Sequence, residues 1–174
     1  MEFLISIDHL LFSTINNLPH TPFLDGFFSF FSGIGSFGLI WIALGIFLAI
    51  WEEIKDKREL LALSIGILLS VIMVEVILKN LIERLRPEFS VPAIVLDRNS
   101  HSFSFPSGHA TLAFVCAYIL SAGHRKYRPL FYLLAFLISF SRIYLGSHYP
   151  LDVVAGFFLG LLIGWFSVQL KKYL

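Results

Sequence analysis

From Phe27 to Trp51 the chain runs without a single charged side chain, a length that suffices for one bilayer crossing at about 20 residues. Hydrocarbon offers a backbone no hydrogen-bond partners, so a run of this kind folds as a helix that satisfies its own amides. The same pattern returns downstream. Leu60 to about Leu85 reads as a second span, closed at Arg86-Pro87 because the residue before proline disfavours helix. Pro106 opens a third span, running to about Ala122, from a first-turn position. Pro129 to about Leu145 is the fourth and Pro150 to about Leu170 the fifth. Between them lie the charged knot Glu52–Glu59, a polar loop over 88–105 and the basic turn at 124–128.

Composition agrees. The chain is 57% hydrophobic and 14% charged, where soluble domains carry about 25% charge, and nineteen phenylalanines face thirteen Lys+Arg. Residues 3–18 differ from the spans: Phe3, Leu4, Ile7, Leu10, Leu11, Ile15 and Leu18 share one helical face, with Glu2, Ser6, His9, Ser13 and Asn16 largely opposite. That segment is too polar to span and reads as a helix lying in the interface. Glu2 stands where a signal peptide needs positive charge. The expected fold is therefore all-α: a polytopic transmembrane bundle of about five spans in one domain over 1–174, with residues 1–18 as an N-terminal interfacial amphipathic helix. A net charge of +1 with no basic run offers nothing to nucleic acid, and the single Cys116 reads as packing inside an apolar helix.

Orientation follows from the basic residues. Five crossings put Lys55, Lys57, Arg58, Arg125, Lys126, Arg128, Lys171 and Lys172 on one side, against Arg84, Arg98, Lys79, Arg86 and Arg142 on the other. The first side is then cytoplasmic. Three separated strings fall together on the opposite side: Lys79-x6-Arg86-Pro87 at the end of span two, Pro106-Ser107-Gly108-His109 at the start of span three, and Ser141-Arg142-x5-His148-x3-Asp152 between spans four and five.

Charge at a membrane helix is expensive and marks function. Lys79 and Arg86, seven residues apart, return to nearly the same helical face about 10 Å apart and can converge on one anion. The plainer alternatives are snorkelling toward headgroups and an i,i+4 pair of Lys79 with Glu75. After Pro106 a helix start leaves free amides, Gly108 lets an anion approach them, Ser107 adds a hydroxyl donor and His109 is placed to exchange a proton. His148 and Asp152 stand i,i+4 where span five begins, so the carboxylate can hold one imidazole nitrogen and leave the other free as a nucleophile or base. Arg142 can fork onto phosphate oxygens. A structural ion pair and an ordinary helix start are the alternatives.

Together the three strings resemble the signature of the type 2 phosphatidic acid phosphatase superfamily, membrane lipid phosphatases that share their site with the vanadium haloperoxidases. The resemblance covers roughly residues 60–170. It implies a phosphatase or pyrophosphatase that needs no metal and no cofactor and acts on a membrane lipid phosphate. His148 would form a phosphohistidine, Asp152 would orient and charge-stabilise it, and His109 would protonate the leaving oxygen and then activate water. Lys79, Arg86, Ser107, Gly108 and Arg142 would hold the phosphoryl oxygens. It further implies a bacterial inner (plasma) membrane location with the site facing the periplasm or exterior. Substrate candidates are an isoprenoid diphosphate, phosphatidylglycerophosphate, phosphatidate and the 1-phosphate of lipid A. Six-span members begin with a full transmembrane helix where this chain has the short amphipathic one.

Two rival functions remain open at the level of sequence: phosphotransfer to a lipid or sugar hydroxyl, and a non-enzymatic protein with His109 and His148 as axial haem ligands. The remaining residues invite smaller claims. His101, beside Ser102 and Ser104, reads as a solvated loop histidine or a headgroup contact; His9, His20 and His124 as interfacial; Glu83 and Arg84 as neutralising the rim. Gly156, Gly160 and Gly164, spaced four apart, read as close helix packing within a monomer, with a dimer face as the alternative.

Overall fold

A computed structural model describes residues 2–51, 58–97, 102–170 and 173. Among them all the regular secondary structure is helical. In order come α1 (Glu2–Asn16), α2 (Pro22–Gly35), α3 (Leu39–Trp51), α4 (Arg58–Val71), a π-helical stretch Ile72–Leu78 leading into α5 (Lys79–Ile82), then α6 (Gly108–Gly123), α7 (Arg128–Tyr144) and α8 (Pro150–Leu170). Lys55, Lys57, Arg98, His101, Lys171 and Lys172 lie outside the described residues.

The bundle is arranged around α6, which packs against α4, α7 and α8. Its residues from Ala110 to Ala117 are all buried, and a helix enclosed on every side is apolar all round. Its tightest neighbour is α8, because three glycines remove the side chains that would hold the axes apart. A Cβ at Gly156 would meet the Ser107 carbonyl oxygen at 2.8 Å, one at Gly160 the Thr111 carbonyl oxygen at 2.6 Å, and one at Gly164 the Tyr118 Cβ at 2.8 Å. The glycine stripe is thus consumed within the chain. Cys116 is fully buried in α6.

The run Arg58–Phe89 and α8 are each long and apolar enough to cross a bilayer, and α2 with Ile40–Leu48 would make a third span as a pair bent by 66°. At 16 residues, α6 rises only about 24 Å. By length and composition the described residues thus hold two clear spans, or three with the bent pair, of the about five expected. α6 and α7, at 16 and 17 residues, are shorter than the two clear spans. Large apolar side chains such as Phe30, Ile50, Val76, Leu81, Phe158 and Leu162 face outward, far more than a water-facing surface carries.

Two boundaries differ from expectation, and both matter for the site. The second span ends at Ile82 rather than at Arg86-Pro87: Glu83 adopts φ 50° and donates its N–H to the Lys79 carbonyl, which terminates the helix. The third helix begins at Gly108, with Ser107 rather than Pro106 at its cap.

α1 turns Asp8, Phe12 and Asn16 inward and leaves Phe3, Leu4 and Leu10 exposed. Asn16 fastens it: its amide donates to the carbonyls of Ile94 and Tyr144, both at 2.9 Å, and accepts the Ile94 N–H at 2.8 Å.

Candidate active site

A cavity of about 1020 Å³ opens between the ends of α2, α5, α6 and α7, and Lys79, Arg86, Gly108, His109, Arg142 and His148 all line it. The topology brings the three strings together from positions up to seventy residues apart.

Lys79 and Arg86 reach it by a route different from a shared helical face. With the helix ended at Ile82, Arg86 sits in extended backbone, and the two cations are brought together by Ser102. Lys79 Nζ donates to Ser102 Oγ at 2.9 Å, and Arg86 Nε donates to the Ser102 carbonyl at 2.7 Å. Arg86 also donates to the carbonyl of Ser147 at 2.8 Å, the residue before His148. Both cations are buried. The Glu75–Lys79 pair, the plainer alternative for this lysine, is present at 2.8 Å, and it has a further consequence. Glu75 Oε1 lies 2.8 Å from where a Cβ at Gly108 would stand. A carboxylate therefore occupies the space beside the first amides of α6, next to a lysine. Glu75 belongs to the π-helical stretch, a distortion frequent at functional sites.

Ser107 and Asp152 stand one layer behind the cavity wall. Ser107 is fully buried; its hydroxyl accepts the Ala110 N–H as the cap of α6, and its own N–H donates to the Asp152 carbonyl at 3.0 Å. This hydroxyl therefore fixes the helix start that presents Gly108 and His109. His109 Nε2 pairs with Ser36 Oγ at 3.2 Å.

The turn carrying His148 is held to the end of α7. The N–H groups of Ser147 and His148 both donate to the Arg142 carbonyl, at 3.0 and 3.1 Å. Gly146 enters the turn at φ 80°, where a side chain would be strained and would collide with the Ile94 carbonyl. Arg142 itself is buried and donates to Asp97 at 2.6 Å and to Ser32, while its buried Nε has no hydrogen-bond partner.

His148 Nδ1 is 3.6 Å from Asp152 Oδ2, an electrostatic pairing slightly beyond hydrogen-bond reach. The carboxylate is held instead by its surroundings: Oδ2 accepts from Ser104 Oγ at 2.5 Å and from the Tyr149 N–H at 2.9 Å, and Oδ1 accepts from Arg84 at 2.6 Å. Burial lowers the His148 imidazole, to about 4, against the opposing pull of Asp152; Arg86 and Arg142 add to the depression. The ring is consequently neutral at ordinary pH, with Nε2 free for the cavity.

Ser102, Ser104, Arg84 and Asp8 were not legible as site residues. Ser102 and Ser104 sit in a polar loop with no pattern of their own, and Arg84 read as a rim charge. His101 lies outside the described residues. The histidines expected at the interface have partners of their own: His20 bridges Asp25 and the Asn16 carbonyl, both at 2.8 Å, His9 stacks on Tyr149, and His124 meets Glu59 at 3.2 Å.

Residues 59–174 match the family described as the PAP2 superfamily. The chain belongs to the PAP2 superfamily. It is accordingly a membrane-embedded phosphatase, as the resemblance of its three strings implied. Among curated PAP2 relatives, it is 33% identical to the undecaprenyl-diphosphatase of Sulfolobus acidocaldarius over 86% of this chain and 71% of that one. It is 35% identical to the lipid A 4′-phosphatase of Bacteroides thetaiotaomicron over 95% and 77%. Two crystal structures share the fold. LpxE of Aquifex aeolicus superposes with a TM-score of 0.75 at 37% identity, covering 91% of this chain and 93% of that one. The transmembrane PAP2-type phosphatidylglycerolphosphate phosphatase of Bacillus subtilis superposes at 0.73 and 29% identity, covering 100% and 89%.

Proposed function

We propose that this PAP2 protein removes a terminal phosphate from a membrane lipid by two displacements at His148. The observation that carries the reading is the single cavity wall shared by Lys79, Arg86, Arg142, Gly108, His109 and His148. Phosphoryl transfer demands stabilisation of charge spread over three equatorial oxygens. Three fixed cations and the first amides of α6, held in place by Ser107, supply it.

In the first step Nε2 of neutral His148 bonds to phosphorus while the ester or anhydride P–O bond breaks. The leaving oxygen takes a proton from His109, whose protonated form the bound phosphate favours. Asp152, facing Nδ1, balances the positive charge that the ring acquires. In the second step water bonds to phosphorus, giving its proton to His109, and the N–P bond breaks to release inorganic phosphate. Glu75 must leave the seat beside Gly108 for the phosphoryl group to enter.

The substrate is a phosphomonoester or diphosphate whose tails stay in lipid. An isoprenoid diphosphate is favoured slightly over phosphatidylglycerophosphate, phosphatidate and a lipid A phosphate, and named relatives include an undecaprenyl-diphosphatase and lipid A 4′-phosphatases. We place the protein in a bacterial plasma membrane with about five crossings, the basic turn at 125–128 cytoplasmic and the cavity on the outer face. The test is phosphate release in detergent over those four lipids, with EDTA present. Release from one of them by the wild type and none from His148→Ala supports the reading. No release from any, or release that survives in His148→Ala, overturns it.

A further inference from the structure

The carboxylate behind the nucleophile is tied to the N-terminal helix. Asp8 of α1 is 1% exposed, an unusual setting for a carboxylate unless it is fully paired. Its Oδ2 accepts from Arg84 at 2.5 Å and its Oδ1 accepts the Leu151 N–H at 2.8 Å, one of the free amides in the first turn of α8. The other arm of the same guanidinium donates to Asp152 Oδ1 at 2.6 Å. The guanidinium also lies over the Tyr149 ring, 4.0 Å from its centroid. One arginine therefore bridges two buried carboxylates from opposite ends of the chain and is held flat by the residue that follows the nucleophile.

This arrangement has consequences for both geometry and charge. With Oδ1 committed to Arg84 and Oδ2 to Ser104 and the Tyr149 N–H, the carboxylate plane of Asp152 is fixed, and Oδ2 is the oxygen turned to His148. Arg84 alone would cancel the charge of Asp152. Asp8 supplies a second negative charge, so the trio carries a net charge of −1 toward a ring that becomes cationic in the transition state. Charge preorganised where charge develops is worth most in a dry site.

We propose that Asp8 and Arg84 are positioning residues of the phosphatase: α1 completes the site by holding, through Arg84, the carboxylate that orients and charge-stabilises His148. The proposal rests on the assignment of His148 as nucleophile. Because the pair acts on Asp152 and touches no phosphate, its loss lowers kcat and leaves KM nearly unchanged. Because Asp8 acts through Arg84, the two are coupled.

The experiment is a double-mutant cycle in the full-length detergent-solubilised protein, using the lipid that the wild type hydrolyses best, with Asp8→Asn, Arg84→Met and the pair. Asn keeps the shape and can still accept the Leu151 N–H. Expected for each single variant is a loss in kcat of about 10- to 100-fold, as for other groups that orient a catalytic side chain from behind, with KM within about two-fold. The double variant should be no slower than Arg84→Met alone. Additive losses, a change confined to KM, or native kcat in Asp8→Asn would overturn the proposal. If a variant melts too low to assay, Arg84→Lys replaces it: one ammonium cannot span both carboxylates, so kcat should fall there too, and a native kcat also overturns the proposal. A wild type without phosphatase activity, or an active His148→Ala, would instead refute the underlying reaction.

Discussion

His148 is a buried imidazole whose environment decides its chemistry. Burial, with Arg86 and Arg142 nearby, lowers its titration to about 4, so the ring is neutral above that value, as the proposed attack requires, and protonated below it. The acid limb of kcat/KM, which reports the free enzyme, is therefore expected near pH 4 rather than near the ordinary histidine value of about 6.5. A pH–rate profile from 3.5 upward checks this; a limb at 6.5 would show a solvated ring. Asp152→Asn should keep the hydrogen bonds from Ser104 and the Tyr149 N–H yet lose about 10⁴-fold in kcat, the scale seen when an orienting aspartate is neutralised. Glu75 makes the opposite kind of prediction. Its carboxylate pairs with Lys79 at 2.8 Å and crowds Gly108, so in the proposed reaction it competes with the incoming phosphoryl group. Glu75→Gln is expected to tighten inhibition by inorganic vanadate or phosphate, measured as a lower Ki. A Ki that rises would mean that Glu75 assists binding rather than opposing it.

Among the elements, α8 and α6 depend on contact without side chains. At Gly160 even a methyl group would press on the Thr111 carbonyl at 2.6 Å, and backbone cannot rotate away. Gly160→Ala should cost about 1–3 kcal/mol as overpacking does, read as a lower melting temperature in detergent with kcat little changed per folded molecule. At α1, Asn16 holds three backbone groups of the 94 and 144 segments. Asn16→Ala leaves them unmet at a cost of about 1–3 kcal/mol, detectable as faster proteolysis of the N-terminal segment. α1 is thus a built part of the bundle as well as an amphipathic segment. Its inward face is Asp8, Phe12 and Asn16, while Phe3, Leu4 and Leu10 are left exposed.

For the whole molecule, the charge asymmetry of the loops predicts which side the site faces. The fully buried Cys116 offers no background to thiol reagents, so single cysteines report topology directly. A cysteine at Lys126 should react only from the cytoplasmic side and one at Ser90 only from the other; the reverse pattern would invert the proposed orientation. Much of this architecture was legible from short-range pattern. Apolar runs identify helices wherever they occur, and three charged strings at their ends carry the resemblance to a family of lipid phosphatases. The span count was less legible. By pattern α6 and α7 read as spans, yet at 16 and 17 residues they are shorter than the two clear ones.

What the sequence determines by itself is local and chemical: helicity, the PAP2 signature and the residue types proposed to grip phosphate and attack it. Only the tertiary structure decides how they are held. Arg86 leaves the helix because Glu83 turns to φ 50°, and Ser102 then gathers it with Lys79. Asp152 is fixed by Ser104, by Arg84 and, through Arg84, by Asp8. These partners lie 48 to 76 residues apart along the chain. Periodicity predicts neighbours three or four positions away, whereas a buried charge is paired by whichever polar group the fold brings within about 3 Å, and no spacing in the chain records that meeting.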